Sequence, residues 1–273
     1  MINSNFSPQD SAARCFKYRK RILDISQTVS ALHAAGAFSA LEMVDFIYHG
    51  LMRKDKRGKL IDTFLMSKGH GCIAQYVILE DLKILSKKDL DLYCKPNGRL
   101  GCHPDYGTPG IEASTGSLGH GMGLATGMCH ADNIKEKDTK VFLMISDGEL
   151  QEGSTWENMM MAANLNLENL ICFLDHNGSQ SFGHTKDTHP KFYPIKEKII
   201  SFEWECLEVN GHSADELLKA INSRQTKKPL MIIGNTIKGK GVSFMENKPI
   251  WHYRSPNKDE YNIAIKELKE INS

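Results

Sequence analysis

A chain of 273 residues with 41% hydrophobic and 25% charged side chains can bury a real core, which excludes a disordered or fibrous protein. With 34 basic against 33 acidic side chains the formal net charge is +1. No global field then draws the chain to nucleic acid or to a membrane, and any bound phosphate must rely on local groups. Seven cysteines, an odd number with no C-x-x-C pair, argue against a disulfide framework or a zinc knuckle and fit a reducing cytosol. A polar start from Met1 to Asp10, and no run near the ~18 apolar residues of a membrane helix, complete the expectation of a soluble cytoplasmic protein.

In chain order, Ser11 to Met52 reads as two helices broken near Ala35-Gly36. Ser67-Lys68-Gly69-His70 opens another helix that runs to about Ile84. Lys95 to Gly116, rich in Gly, Pro and His, reads as an irregular loop. Ser117 to Asn133 begins with Gly119, Gly121 and Gly123, and a helix there must pack closely on something, since glycine otherwise weakens it. Four apolar runs of strand length follow: Lys140–Ser146, Asn169–Asp175, Trp204–Val209 and Pro229–Gly234. Helical stretches at Ser154–Leu165 and Ser213–Ser223 separate them, the latter with Ser213 as N-cap and Glu216 three residues on. Nearly continuous apolar strands alternating with helices predict an α/β fold, a parallel sheet sandwiched by helices.

In such a sheet, ligands lie beyond the carboxyl ends of the strands. Asp147, Asn177, Gly211-His212 and Lys238 fall there. Asp147 and Asn177 are 177 − 147 = 30 residues apart, one β-α-β unit, so they belong on adjacent loops. A carboxylate and an amide carbonyl are hard oxygen donors suited to Mg²⁺, with phosphate oxygens and water completing its shell. Gly148 lets the backbone approach a pyrophosphate, and the helix starting near Ser154 adds its positive end. Asp147-Gly148 or Asn177-Gly178 alone reads as an ordinary turn. Their joint placement after two strands favours a site.

Asp-Gly followed some 30 residues later by Asn resembles the thiamine-diphosphate motif. The string Asp147-Gly-Glu-Leu-Gln-Glu-Gly-Ser-Thr-Trp-Glu157 resembles transketolase in particular. So do Ser67-Lys-Gly-His70, Gly101-Cys-His-Pro104, Pro109 to Gly121 and Thr236-Ile-Lys-Gly-Lys-Gly241. The resemblance runs from about Lys17 to His252. It implies the diphosphate-domain fold, with thiamine diphosphate and Mg²⁺ (or Ca²⁺ or Mn²⁺) as cofactors. The metal ligands it implies are Asp147, Asn177 and the Ser179 carbonyl. His70, Gly148 and His252 match positions at the diphosphate, Gly116 and Leu118 the loop against the aminopyrimidine, and Lys238 another cofactor-side position. His33, His70, His103 and His252 match a histidine cluster around the thiazolium and the donor sugar. Imidazoles that titrate near neutrality suit the proton transfers of ketol transfer. Glu152 matches an acidic residue that links two active sites across a subunit interface. His49, His130 and His189 read as surface or satisfied core residues, and His120, His184 and His212 stay undecided.

Three positions depart from the family. Ser146 stands where glycine is usual, Leu32-His33-Ala-Ala-Gly36 replaces Gly-His-Pro-Gly, and Asn210-Gly-His-Ser213 replaces Asp-Gly-His-Asp. A complete transketolase has two further domains. The expectation is therefore a single diphosphate-binding domain over 1–273, working with a transketolase C-terminal-like subunit in an α₂β₂ assembly. Its reaction would be transfer of a two-carbon ketol unit between sugars, with sugar phosphates the expected substrates. The alternatives are a transketolase-like subunit for an unusual sugar in polysaccharide or secondary metabolism, and a non-catalytic partner. A nicotinamide dehydrogenase is disfavoured because no strand directly precedes the Gly119–Gly127 glycines, and Lys238-Gly-Lys-Gly241 lacks P-loop spacing.

Overall fold

The computed structural model describes residues 2–30, 32–180 and 183–271. Two helices come first, α1 (Pro8–Ser26) and α2 (Ala34–Asp45), and α2 runs on through a π-helical turn at Phe46–Leu51. The break between them lies before His33, not at Ala35-Gly36 as the sequence suggests. Gly36 sits inside α2, with His70 Cδ2 3.5 Å from where a Cβ would stand, an ordinary packing distance.

Strand β1 (Thr63–Met66) precedes the Ser67-Lys68-Gly69-His70 motif, and α3 (Cys72–Asp81) follows it after a 3₁₀ turn at Gly69–Gly71. The short helix α4 (Lys87–Asp91) begins with a capping box between Ser86 and Asp89. The irregular loop then runs to α5 (His120–Ile134). Next come β2 (Val141–Ser146), α6 (Gly153–Asn164), β3 (Leu170–His176) and a small antiparallel pair, β4 (Ser179–Gln180) and β5 (Gly183–His184). Helices α7 (Thr185–Thr188) and α8 (Ile195–Ser201) lead to β6 (Glu205–Asn210), α9 (Ala214–Asn222), β7 (Leu230–Asn235) and α10 (Lys258–Ile271).

The main sheet is parallel, in the order β1-β2-β3-β7-β6. Its strands alternate between two apolar layers, as a period of two demands. Phe142, Met144, Ile171, Phe173, Leu230 and Ile232 join the cluster built on α1, α2, α3, α9 and α10. Leu143, Ile145, Cys172, Leu174, Met231 and Ile233 join the other, with α5, α6 and α8. Each fully buried side chain of this size stabilises the fold by about 1.5–3 kcal/mol. Of the three consecutive methionines, Met159 is buried while Met160 and Met161 are half exposed. Among the described residues no helix is long and apolar enough to cross a membrane.

Candidate active site

Strands β2 and β3 pair with Ser146 opposite Asp175, so the loops after them are neighbours. Asp147 opens a 3₁₀ turn directly after β2 and is 1% exposed. Its carboxylate bonds His176 Nδ1 at 2.5 Å and accepts from the Gly178 N–H at 2.6 Å. Burial raises the Asp147 pKa even though His176 opposes the shift. Asn177 Oδ1 accepts from the Ser179 N–H at 3.0 Å, and its amide nitrogen donates to Ser39 Oγ at 3.0 Å and Asp175 Oδ2 at 3.2 Å.

Beneath Asn177 lies a group that motif reading missed. Asp175, fully buried, forms an ion pair with Lys68, itself 1% exposed. Lys68 also donates to the Gly36 carbonyl at 2.9 Å, while Ser39 Oγ and Thr236 Oγ1 donate to Asp175 at 2.7 and 2.5 Å. Burial alone would favour the protonated acid, but Lys68 outweighs it and holds the Asp175 pKa below its ordinary value. The visible signal was a carboxylate ending the apolar run Asn169–Asp175.

The four histidines come from four separate loops and meet. His33 stands just before the first residue of α2, His70 lies in the turn after β1, His103 in the irregular loop, and His252 ends a 3₁₀ turn at Pro249–His252. The His33 ring centroid is 5.5 Å from His70, 6.4 Å from His103 and 5.4 Å from His252, and His70 is 5.4 Å from His252. Burial, then the neighbouring His103 and the ammonium groups of Lys238 and Lys68, lowers the His33 pKa to about 4. Burial and then Lys238 lower His252 to about 4 as well, and burial drives His70 well below its usual value. These three imidazoles are therefore neutral at pH 7 and can accept a proton. Lys238, brought down to about 8 by burial and by Lys68, donates to His252 Nδ1 at 2.8 Å.

Gly116 and Gly69 are forced by contact. A Cβ on Gly116, whose φ is +121°, would stand 2.4 Å from His103 Cδ2, and one on Gly69 would stand 2.7 Å from Gly116 Cα. Leu118 lies over Gly148, its Cδ1 3.8 Å from where a Gly148 Cβ would be. Ser146 has φ −126°, ordinary extended backbone, so the side chain at this departure from the family is accommodated without strain. Ser179 sits in β4. Glu152 is exposed at the head of α6, with its Cβ against Gly119. Its neighbour Glu149, not singled out from sequence, is buried and accepts from Ser67 Oγ and from the Gly119 N–H at 3.2 Å; burial raises it to about 7. A cavity of about 1110 Å³ between α1, α3 and α4 contains none of these residues.

This is the build of α/β domains that hold a ligand at the carboxyl edge of a parallel sheet. The family model described as "Transketolase, thiamine diphosphate binding domain" matches residues 14–269, and the chain belongs to this family. It is 35% identical over 260 residues to one of the subunits of the apulose-4-phosphate transketolase of Phocaeicola vulgatus, covering 93% of this chain and 92% of that one. It is 34% identical over 258 residues to the 6-deoxy-6-sulfo-D-fructose transketolase subunit SqwG of a Clostridium species, covering 92% and 94%. Transketolase from Campylobacter jejuni has the same fold, with a TM-score of 0.84 at 24% identity over 97% of this chain. The match covers 43% of that enzyme, so the chain spans less than half its length.

Proposed function

We propose that this chain is the thiamine-diphosphate-binding subunit of a two-chain transketolase that moves a two-carbon ketol unit from a ketose to an aldose. The observation that carries this reading is the convergence of His33, His70, His103 and His252 beside Lys238, next to the Asp147–Asn177 edge. In this reading Asp147, Asn177 and the Ser179 carbonyl hold Mg²⁺. The donor chemistry fits: one buried carboxylate and neutral oxygens on adjacent loops, a set that diphosphate oxygens and water complete. Thiamine diphosphate, when bound, supplies the carbanion chemistry.

The chain's own groups bind and move protons. His70 and His252 would face the diphosphate, with Gly148 leaving room for it, Lys238 would take another position on the cofactor side, and Gly116 and Leu118 would back the aminopyrimidine. Neutral His33, His70 and His252, with His103, can take the donor hydroxyl proton and return one to the acceptor alkoxide. Glu152, exposed at the head of α6, is suited to a subunit interface. The remaining domains would come from a transketolase C-terminal-like chain in an α₂β₂ assembly. A relative matched over 92% of its own length is itself named as one subunit of its enzyme, which supports this arrangement. Seven free cysteines fit a reducing, cytoplasmic setting.

Two relatives of similar length carry names that specify unusual sugars, apulose-4-phosphate and 6-deoxy-6-sulfo-D-fructose. They favour the reading in which this chain also serves a specialised ketose. Calorimetric titration of thiamine diphosphate with Mg²⁺, into the chain alone and mixed with a C-terminal-like partner, tests the cofactor reading, with Asp147→Ala as control. Mg²⁺-dependent binding that the control loses is expected, and no binding in either mixture refutes it. A panel of ketose donors then identifies the substrate.

A further inference from the structure

We propose that His212 is a positioning residue that sets the loop after β7 so that the Lys238 ammonium meets His252. The proposal rests on the cofactor site described above and adds a residue that touches neither Lys238 nor His252. His212 Nε2 lies 2.9 Å from the Ile237 N–H, and Nδ1 lies 2.9 Å from Glu42 Oε2. A backbone N–H can only donate, so Nε2 is the acceptor, and Nδ1 carries the proton that it donates to Glu42.

Glu42 in turn pairs with the Arg19 guanidinium at 2.6 Å, and Arg19 donates to the Lys240 carbonyl at 3.1 Å. His212, Glu42 and Arg19 thus form one buried chain that grips the loop on both sides of Lys238, by the Ile237 N–H and by the Lys240 carbonyl. The His212 and Glu42 side chains are each 10% exposed and Arg19 8%, so water competes little for these bonds. Gly239 is pinned separately, its N–H donating to the Ala35 carbonyl at 2.9 Å.

The turn that presents His212 is built for it. Asn210 Oδ1 accepts from the His212 N–H at 3.0 Å, and Ser213 Oγ caps α9 by accepting from the Glu216 N–H at 3.2 Å. A Cβ on Gly211 would stand 2.5 Å from Thr236 Cγ2, so only glycine lets this turn lie against the start of the Lys238 loop. This gives a structural account of Asn210-Gly-His-Ser213.

His212→Phe keeps a ring of similar size and removes the acceptor, whereas His212→Gln places an amide oxygen near the Nε2 position. The first readout is the NMR titration of the His252 imidazole in the chain without cofactor. His212→Phe should shift its midpoint in the same direction as Lys238→Met, and His212→Gln should return it towards wild type. The second is thiamine diphosphate affinity with Mg²⁺, for the chain together with its partner subunit. His212→Phe should weaken it roughly tenfold, the scale of one lost bond to a desolvated group. The double variant His212→Phe/Lys238→Met should be no weaker than Lys238→Met alone. Residue 212 acting only on general stability would lower the melting temperature, leave the His252 titration in place and make the two affinity losses multiply. That result overturns the proposal. If the wild-type complex binds no cofactor, the functional reading fails, and the His252 titration still decides the positioning role.

Discussion

The ion pair between Lys68 and Asp175 makes the sharpest demand on stability. The two residues are 107 positions apart in sequence and join the turn after β1 to the end of β3. Lys68→Met removes the cation and leaves a fully buried carboxylate that, among the described residues, accepts from Ser39, Thr236 and Asn177. Breaking a buried pair from one side costs about 3–5 kcal/mol, because the remaining charge is uncompensated. For 273 residues the unfolding entropy is roughly 0.6 kcal/mol/K, so a loss of about 4 kcal/mol lowers Tm by about 7 °C. Asp175→Asn on the Lys68→Met background removes the stranded charge while keeping an acceptor for Ser39 and Thr236. Its amide nitrogen then stands where Oδ2 accepted from Asn177, so that one bond is given up. The double variant should recover at least half of the lost stability, measured by urea denaturation with m compared across variants. A single Lys68→Met loss below about 1 kcal/mol, or a double variant less stable than the single, would show that the pair is screened and the reasoning wrong.

Three further outcomes are expected. Gly116→Ala combines a φ of +121° with a Cβ 2.4 Å from the His103 ring, so His103 must move; stability should fall by about 1–3 kcal/mol, and activity of the complex at least tenfold, in a steady-state assay. Ser146→Gly relieves no strain, since φ is −126°, and should leave cofactor affinity by calorimetry within about twofold; a large gain would show that Ser146 obstructs the site. Glu42 is brought from 4.5 to about 2: burial opposes the shift, and Arg19 and His212 outweigh it. Its folded pKa is depressed, so its contribution, about 3 kcal/mol, is present above pH 4.5 and is lost as pH falls towards 2. Urea midpoints of wild type and Glu42→Gln should therefore converge on acidification through that window, and a constant gap would refute the assignment.

The parts legible in the sequence were those carried by local pattern. Four apolar runs became β2, β3, β6 and β7, and Asp147 and Asn177 fell on adjacent loops because one β-α-β unit separates them. Strand β1 escaped because Thr63–Met66 is only four residues long and leads straight into a motif that reads as a helix start. The break assigned to Ala35-Gly36 was misplaced because a helix tolerates one glycine where packing holds it. Every residue of α2 is buried, and the neighbours that cover it, His70 beside Gly36 among them, are not local in the sequence.

The same limit hid the supports of the site. Lys68, Glu42 and Arg19 are charged residues whose burial depends on partners far along the chain, and a charge beside a motif reads as solvated until its partner is seen. Residues that face a ligand have side chains chosen for chemistry, so their types and spacing show in the sequence. Residues that hold them do so by satisfying one another's hydrogen bonds. His212 stood out by its place after a strand, but its role did not, because its two partners, Glu42 and the Ile237 N–H, lie 170 and 25 positions away. Only the folded chain brings those two bonds to one ring, and it is the pairing of the bonds, more than the histidine itself, that fixes where Lys238 points.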